Sequence, residues 1–145
     1  MKSFEDLICY QKAAAIRRKV SDLTKSYPKE EKYRLVDQMI RASRSAPAQI
    51  AEGYGHFHFQ ENIQYCRQAR SSLYELIDHI IASEEEKHIS PELVTNFKSE
   101  ILECITILNG YINFIAKSKS SQSRVDEPEV TYGQSLLDSE EPIFQ

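Results

Sequence analysis

The residue types that most often bind metals or catalyse reactions occur together in one short stretch. His56-Phe57-His58-Phe59 is followed closely by Glu61, and two imidazoles with a carboxylate could begin a zinc site. Two histidines so close together cannot close a tetrahedral shell, and the sequence holds no second Cys/His cluster that would complete it. The pattern therefore favours a loop whose phenylalanines, Phe57 and Phe59, plug one end of a helical bundle.

The other candidate catalytic residues lack the spacing that catalysis requires. Glu75 and His79 are four residues apart and the pair is not repeated, whereas a di-iron bundle uses Glu-x-x-His on two helices. Ser45, Ser71 and Ser72 are not set in the Gly-x-Ser-x-Gly elbow of hydrolases, and the sequence has no glycine-rich phosphate loop. We therefore expect no catalytic residue, no metal, no cofactor and no small-molecule substrate.

The cysteines and the apolar runs indicate the cellular compartment of the protein. Cys9, Cys66 and Cys104 are far apart, odd in number and each within a helical pattern. This arrangement favours buried free thiols over disulfides or a metal site. No apolar run approaches the length of a membrane span or follows the basic start as a leader would. We expect a cytoplasmic protein without membrane contact.

Two polar stripes indicate a different kind of site. At about 100° per residue, each stripe falls on one side of a predicted helix, beside its apolar face. Antiparallel packing would bring Arg41 near Glu75, where a charge-assisted hydrogen bond would fix the helix register. Alternatively, the two stripes form a subunit interface or line the centre of a ring, or they recognise a ligand. The first stripe is Gln38, Arg41, Ser45, Gln49 and Glu52, and the second is Gln68, Ser72, Glu75 and His79.

The net charge of −4 is unevenly distributed along the chain. Residues 1–49 contain 11 basic and 6 acidic side chains, residues 50–117 contain 5 and 10, and residues 118–145 contain 2 and 6. Such asymmetry suits self-association or an acidic partner such as RNA or DNA. Three successive basic residues from Arg17 fan across about 200°, which favours a solvated helix surface. The candidate contacts for nucleic acid or another acidic partner are Lys12, Arg17, Arg18, Lys19, Lys25, Arg34 and Arg44.

Apolar residues that recur every three or four positions predict four helices and therefore an all-α fold. The first helix begins at Ser3 as its N-cap and breaks near Pro28. The others are expected at about residues 30–54, at about residues 59–86 and from Ser90-Pro91 onward. Short loops between amphipathic helices make an antiparallel up-down four-helix bundle.

One proline and two glycines are expected to shape the second helix. Pro47 lies in its interior, where it removes a backbone donor and should kink the helix. Gly53 and Gly55 should end the helix, because glycine adopts left-handed dihedrals at little cost.

The helical periodicity vanishes from Ser118 onward. We therefore expect a bundle over residues 1–117 and a disordered acidic C-terminal tail over residues 118–145. The alternative is a docking peptide, since apolar side chains are spaced among the acids of the tail. The candidate docking residues are Tyr132, Leu136, Leu137, Ile143 and Phe144.

From Arg41 to Leu76 the sequence resembles a family of small bacterial proteins first noticed in intervening sequences of 23S ribosomal RNA genes. The resemblance extends over residues 3–117. Two positions depart from the usual pattern of the family: Gln49 stands where Asn is common, and Ser71 stands where Gly is common. The matching residues are Phe4-x-x-Leu7, Tyr27-Pro28, Gln38, Arg41-Ala42, Ser45-x-Pro47, Ile50-Ala51-Glu52-Gly53-Tyr54-Gly55, Tyr65, Ala69, Ser72-Leu73 and Glu75-Leu76.

The resemblance implies an antiparallel four-helix bundle that assembles into a ring-shaped homopentamer and has no established enzymatic activity. A distant relative, the accessory variability determinant of diversity-generating retroelements, forms a basic ring that binds nucleic acid and serves a reverse transcriptase. This chain is not basic overall. We therefore expect a homo-oligomeric, pentameric interaction or scaffold protein. The alternative is a nucleic-acid-binding accessory factor that acts with RNA, the ribosome or a reverse transcriptase.

Overall fold

A computed structural model describes residues 3–56 and 58–120, with side chains through Ser118. The four helices are α1 (Ile8–Thr24), α2 (Leu35–Tyr54), α3 (Phe59–Glu85) and α4 (Pro91–Ser120). Each helix packs on the next one along the chain, and α4 closes against α1. No strand occurs within the described ranges. The predicted all-α four-helix bundle is confirmed.

The first helix begins later than predicted. Ser3 is a cap, but it caps a single 3-10 turn: its Oγ accepts a hydrogen bond from Glu5 N at 3.0 Å, and Asp6 Oδ2 accepts one from Ser3 N at 3.3 Å. Leu7 is then extended, with φ −70° and ψ 129°. The α-helical dihedrals therefore start only at Ile8.

The second helix also begins later than predicted, and the fourth begins as predicted. Lys29–Glu31 forms a separate 3-10 turn, and Arg34, with φ −122° and ψ −105°, interrupts the path into α2. Glu31 Oε1 accepts a hydrogen bond from Leu35 N at 3.3 Å, which satisfies a donor of the first turn. At α4, Ser90 Oγ accepts from the backbone N–H of Leu93 at 3.2 Å.

The proline and the glycines of α2 act differently from the prediction. The helix continues through the buried Pro47, and the kink stays a prediction. Gly53 lies inside the helix, and Gly55 at its C-cap is right-handed, with φ −76° and ψ −6°. The left-handed role predicted for these glycines is therefore wrong. Gly53 instead permits a close approach, because a Cβ there would lie 2.6 Å from Asn62 Oδ1 and 2.9 Å from Tyr65 Cβ.

The core is built from the predicted apolar faces. All three cysteines are buried and free, as predicted. Leu35, Val36 and Ile77 are half-buried at the margin, and Leu93 is exposed. The buried members from α2, α3 and α4 include Met39, Ala42, Ala46, Ile50, Ile63, Cys66, Ala69, Leu73, Leu76, Ile80, Phe97, Ile101, Cys104, Ile105, Leu108, Ile112 and Ile115.

Among the described residues, none of the helices is both long enough and apolar enough to cross a membrane. The fourth helix continues to Ser120, past the predicted end of the bundle at residue 117. The acidic tail and its candidate docking residues from Tyr132 to Phe144 lie outside the described residues.

The C-terminus of α3 is closed by a lysine in the left-handed region. Lys87 has φ 64°, and the N–H groups of Lys87 and His88 donate to Glu84 O at 2.8 Å and Ser83 O at 2.9 Å. This is the bonding pattern in which glycine is usually found at the position of Lys87. The left-handed conformation costs a non-glycine residue about 1–2 kcal/mol.

Replacing Lys87 with glycine is therefore expected to raise the free energy of unfolding. The gain should be about 0.5–1 kcal/mol, because the more flexible unfolded glycine chain offsets part of the relief. Urea unfolding followed by circular dichroism measures it. The matched control is Lys25→Gly at the C-cap of α1, where φ is −64° and the same change should destabilise. Equal effects at the two lysines would contradict the prediction.

Candidate functional site: the outer surfaces of the bundle

The two predicted polar stripes meet at the seam between α2 and α3. Ser72 Oγ donates a hydrogen bond to Ser45 Oγ at 2.9 Å, and both side chains are half-buried. About one turn further along α2, Gln49 is half-buried too, and its Oε1 atom has no hydrogen-bond partner among the described residues. The serine pair is an interhelical contact of the kind that fixes register, and it lies beside an unsatisfied acceptor.

The predicted ion pair between Arg41 and Glu75 is wrong. Arg41 Nε donates to Asp37 Oδ2 at 3.1 Å on its own helix. Glu75 Oε2 lies 2.9 Å from Nε2 of the buried His79, also on its own helix. Residues four apart on one helix are already neighbours, so each of these two side chains pairs within its own helix. The remaining stripe residues, Gln38, Glu52 and Gln68, are exposed.

Two of the predicted basic contacts face acidic residues of the same chain. Lys19 Nζ lies 2.7 Å from both carboxylate oxygens of Glu100. Lys12 Nζ lies 3.6 Å from Glu103 Oε1. Both pairs join α1 to α4. The charge asymmetry between the two halves of the sequence is therefore partly neutralised within the bundle.

The remaining basic candidates are distributed over α1, α2 and the segment before α2. Lys25 is exposed and pairs with Asp22 of its own helix at 3.4 Å. Arg18, Arg34 and Arg44 are exposed and Arg17 is half-buried. These four arginines form no ion pair with any described residue. They supply the positive charge on the α1–α2 side of the bundle.

A strip of partly exposed apolar side chains lies on the opposite side, where α3 packs on α4. Arg70 Nη1 donates to Asn109 Oδ1 at 2.7 Å, which fixes the two helices at this level. At the helical rise of about 1.5 Å per residue, Tyr74 lies about 6 Å along the axis of α3 from Arg70, and Ile77 lies about 10 Å from it. On the antiparallel α4, Leu102 lies about 10 Å from Asn109 in the same direction. We call Tyr74, Ile77 and Leu102 the α3–α4 strip.

The side chains of the α3–α4 strip remain accessible in the single chain. Tyr74 is 53% exposed and Leu102 is 45% exposed, while Ile77 is half-buried. The apolar periodicity of the third helix predicts that Ile77 faces the core, and it assigns no role to Tyr74 or Leu102. Only their position at the edges of two neighbouring apolar faces could have indicated a shared surface.

A second cluster missed from the sequence lies where the α1–α2 and α3–α4 connections meet. His88 Nε2 is 2.9 Å from Glu31 Oε2, and these side chains are only 12% and 15% exposed. One donor atom each from Glu31, Glu86 and His88 lies within 4.8 Å of the others. The hydrogen bond with His88 lowers the pKa of the Glu31 carboxyl. The side chain of Tyr27 packs beside His88, with ring centroids 5.0 Å apart.

At the other end of the bundle, the histidine stretch forms a pair and not a ligand shell. His56 Nδ1 lies 2.9 Å from Glu61 Oε1, and the His56 ring stacks on Tyr65 with centroids 4.9 Å apart. His58 is exposed. Phe59, the first residue of α3, is 37% exposed, so the prediction that it plugs the bundle end is wrong. Phe57 lies outside the described residues.

The buried thiols are poor nucleophiles. Burial raises the pKa of both Cys66 and Cys104 to about 12, so both remain protonated at neutral pH. Because the thiolate is the reactive form, these residues serve the core and not covalent chemistry.

A family model described as 23S rRNA-intervening sequence protein matches residues 5–110. The matched region covers α1, α2, α3 and the greater part of α4, and therefore the seam, the α3–α4 strip and the cluster around His88. No curated protein matches the chain.

Proposed function

This chain belongs to the 23S rRNA-intervening sequence protein family, and we propose that it is a non-enzymatic, homo-oligomeric interaction protein that assembles into a pentameric ring. The observation that supports self-association is the α3–α4 strip. Single exposed apolar side chains are normal on a protein surface, but adjacent ones on two packed helices favour a protein contact. The pentamer is the assembly that the family resemblance implies.

The distribution of charge favours a head-to-tail contact. Because the four helices pack in chain order, the α1–α2 side lies opposite the α3–α4 side. Arg18 and Arg44 are exposed on the first side, whereas Glu75 and Asp78 are exposed on α3. A contact between two different faces of identical subunits generates a ring when the rotation closes. Opposite charges on those faces would set the orientation of the subunits.

The test is the mass of the particle in solution. We expect light scattering at micromolar concentration to give five times the mass of the chain. The change Leu102→Glu should shift the protein to monomer with unchanged helix content, since it introduces a charge into the interface at a side chain that is 45% exposed in the monomer. The matched control is Tyr33→Glu, because Tyr33 is 82% exposed and lies outside the α3–α4 strip.

Two results would contradict this proposal. One is a monodisperse monomer for the parent chain. The other is an oligomer whose mass is the same in the Leu102→Glu variant as in the Tyr33→Glu variant.

Nucleic-acid binding is the second candidate, and it is supported by Arg17, Arg18, Arg34 and Arg44. A ring would align these side chains from several subunits into a larger positive surface, to which RNA would bind less tightly as salt is raised. The support is weaker than for self-association, because Lys12 and Lys19 already face the carboxylates of α4.

A further inference from the structure

We propose that Glu31, Glu86 and His88 form a binding site for a divalent cation, with Zn²⁺ the cation best suited to the donor set. The site lies at the end of the bundle where the α1–α2 and α3–α4 connections meet. It is distinct from the α3–α4 strip and does not depend on self-association.

The positions of the donor atoms suit a small cation. Zinc binds imidazole nitrogen and carboxylate oxygen at about 2.0–2.2 Å, which places the donor atoms of a tetrahedral shell about 3.3 Å apart. His88 Nε2 and Glu31 Oε2 are 2.9 Å apart, and the third donor lies within 4.8 Å of both. If His88 Nε2 and Glu31 Oε2 moved slightly apart and the exposed Glu86 side chain rotated toward them, the three side chains would supply three ligands to one ion. Water would occupy the fourth position.

Two of the three ligands are held in place before any ion binds. Glu31 accepts a hydrogen bond from Leu35 N through Oε1, at 3.3 Å, which leaves Oε2 directed at His88. The His88 ring packs beside Tyr27, whose hydroxyl donates to Ser83 Oγ at 2.7 Å. An ordinary cluster of surface acids lacks such fixation, since its side chains are solvated and rotate freely.

The chemistry of the donor set agrees with this geometry. The two carboxylates supply two negative charges, which balance a divalent cation. Without an ion, the Nε2 proton of His88 lies between Nε2 and Glu31 Oε2. An ion would replace this proton, and the imidazole would keep its other proton on Nδ1 and present the Nε2 lone pair to the ion. Imidazole nitrogen suits Zn²⁺, whereas Mg²⁺ prefers oxygen ligands in octahedral geometry. The donor set therefore discriminates between these two ions.

The path of the chain explains how distant residues contribute to one site. Glu86 and His88 flank Lys87, whose left-handed conformation turns the chain at the end of α3. Glu31 comes from the 3-10 turn before α2, 57 positions away from His88. A bound ion would therefore join two connections of the bundle, and it would stabilise the folded state by mass action.

The test is titration of the full chain with zinc chloride at neutral pH. Isothermal calorimetry should show one zinc ion per chain, and magnesium chloride should give no comparable heat. Both Glu86→Gln and His88→Gln should weaken zinc binding by more than about tenfold. Glu86 is exposed, so Glu86→Gln keeps the fold and tests the site even if His88→Gln does not fold.

The matched control is His56→Gln. His56 and Glu61 form a pair at the same 2.9 Å distance, but no group of three donor atoms is found around them among the described residues. Zinc should raise the melting temperature of the parent chain and of His56→Gln equally, and that of Glu86→Gln much less. The proposal is overturned if the chain binds no zinc, if Glu86→Gln binds it as tightly as the parent, or if His56→Gln abolishes binding.

Discussion

Replacing Leu73 with alanine is expected to lower the free energy of unfolding by about 2–5 kcal/mol. The side chain is 1% exposed and lies on the inner face of α3. Alanine would lose the transfer free energy of the removed methyl groups and leave a cavity that close-packed helices fill only partly. Because small domains are stable by only about 5–15 kcal/mol, this loss is a large fraction of the total. The shift of the urea midpoint measures it.

The control for Leu73→Ala is Leu93→Ala. Leu93 is the same residue type on α4, but it is 37% exposed and does not belong to the buried core cluster. We expect its replacement to cost distinctly less, near the lower end of the range for single substitutions, about 0.5 kcal/mol. If the two variants unfold at the same urea concentration, the assignment of the α3 inner face is wrong.

Replacing Gly53 with alanine is expected to destabilise the protein by about 1–3 kcal/mol. A Cβ at this position would lie 2.9 Å from Tyr65 Cβ and 3.1 Å from the backbone oxygen of Asn62. Neither atom can rotate away, so α2 and α3 would have to separate. Alanine is the better helix former by about 1 kcal/mol, and the steric cost must exceed this gain. Chemical unfolding measures the difference.

The neighbouring glycine provides the comparison for Gly53→Ala. A Cβ at Gly55 would lie 3.5 Å from its nearest neighbour, Glu52 O, and the residue is already right-handed. We expect Gly55→Ala to leave stability unchanged or to raise it by up to about 1 kcal/mol. A gain in stability from Gly53→Ala as well would show that the helices do not approach as closely as described.

The helices could be predicted because each has a continuous apolar face, but their ends and close contacts could not. The sequence predicts too early a start for α2, since Lys29–Glu31 has helical sequence features yet forms only a 3-10 turn. The role of Gly53 is hidden in the sequence for a related reason. Glycine near a helix end is typical of a left-handed cap, and only the position of Asn62 and Tyr65 reveals the close approach.

The contacts at the candidate sites also fall into two groups: those that helical periodicity predicts and those between residues far apart in the sequence. The contact between Ser45 and Ser72 follows from two stripes on neighbouring helices, and the sequence predicts such stripes from periodicity. The pairing of Lys19 with Glu100 joins residues 81 positions apart, so the sequence showed only a charge asymmetry. The cluster of Glu31 with His88 was invisible for the same reason, although both residues lie in connections that a four-helix bundle brings to one end.

The closure of α4 on α1 has a consequence for the order in which the bundle can assemble. Its contacts join residues 81 and 95 positions apart, whereas Ser45 and Ser72 are 27 apart. The entropy lost on closing a loop grows with the logarithm of its length, so the seam between α1 and α4 costs about 1 kcal/mol more to form than the hairpin of α2 and α3. The hairpin also contains the tight contact at Gly53. On both grounds we expect the hairpin to form early in the folding reaction and the α1–α4 seam to form last.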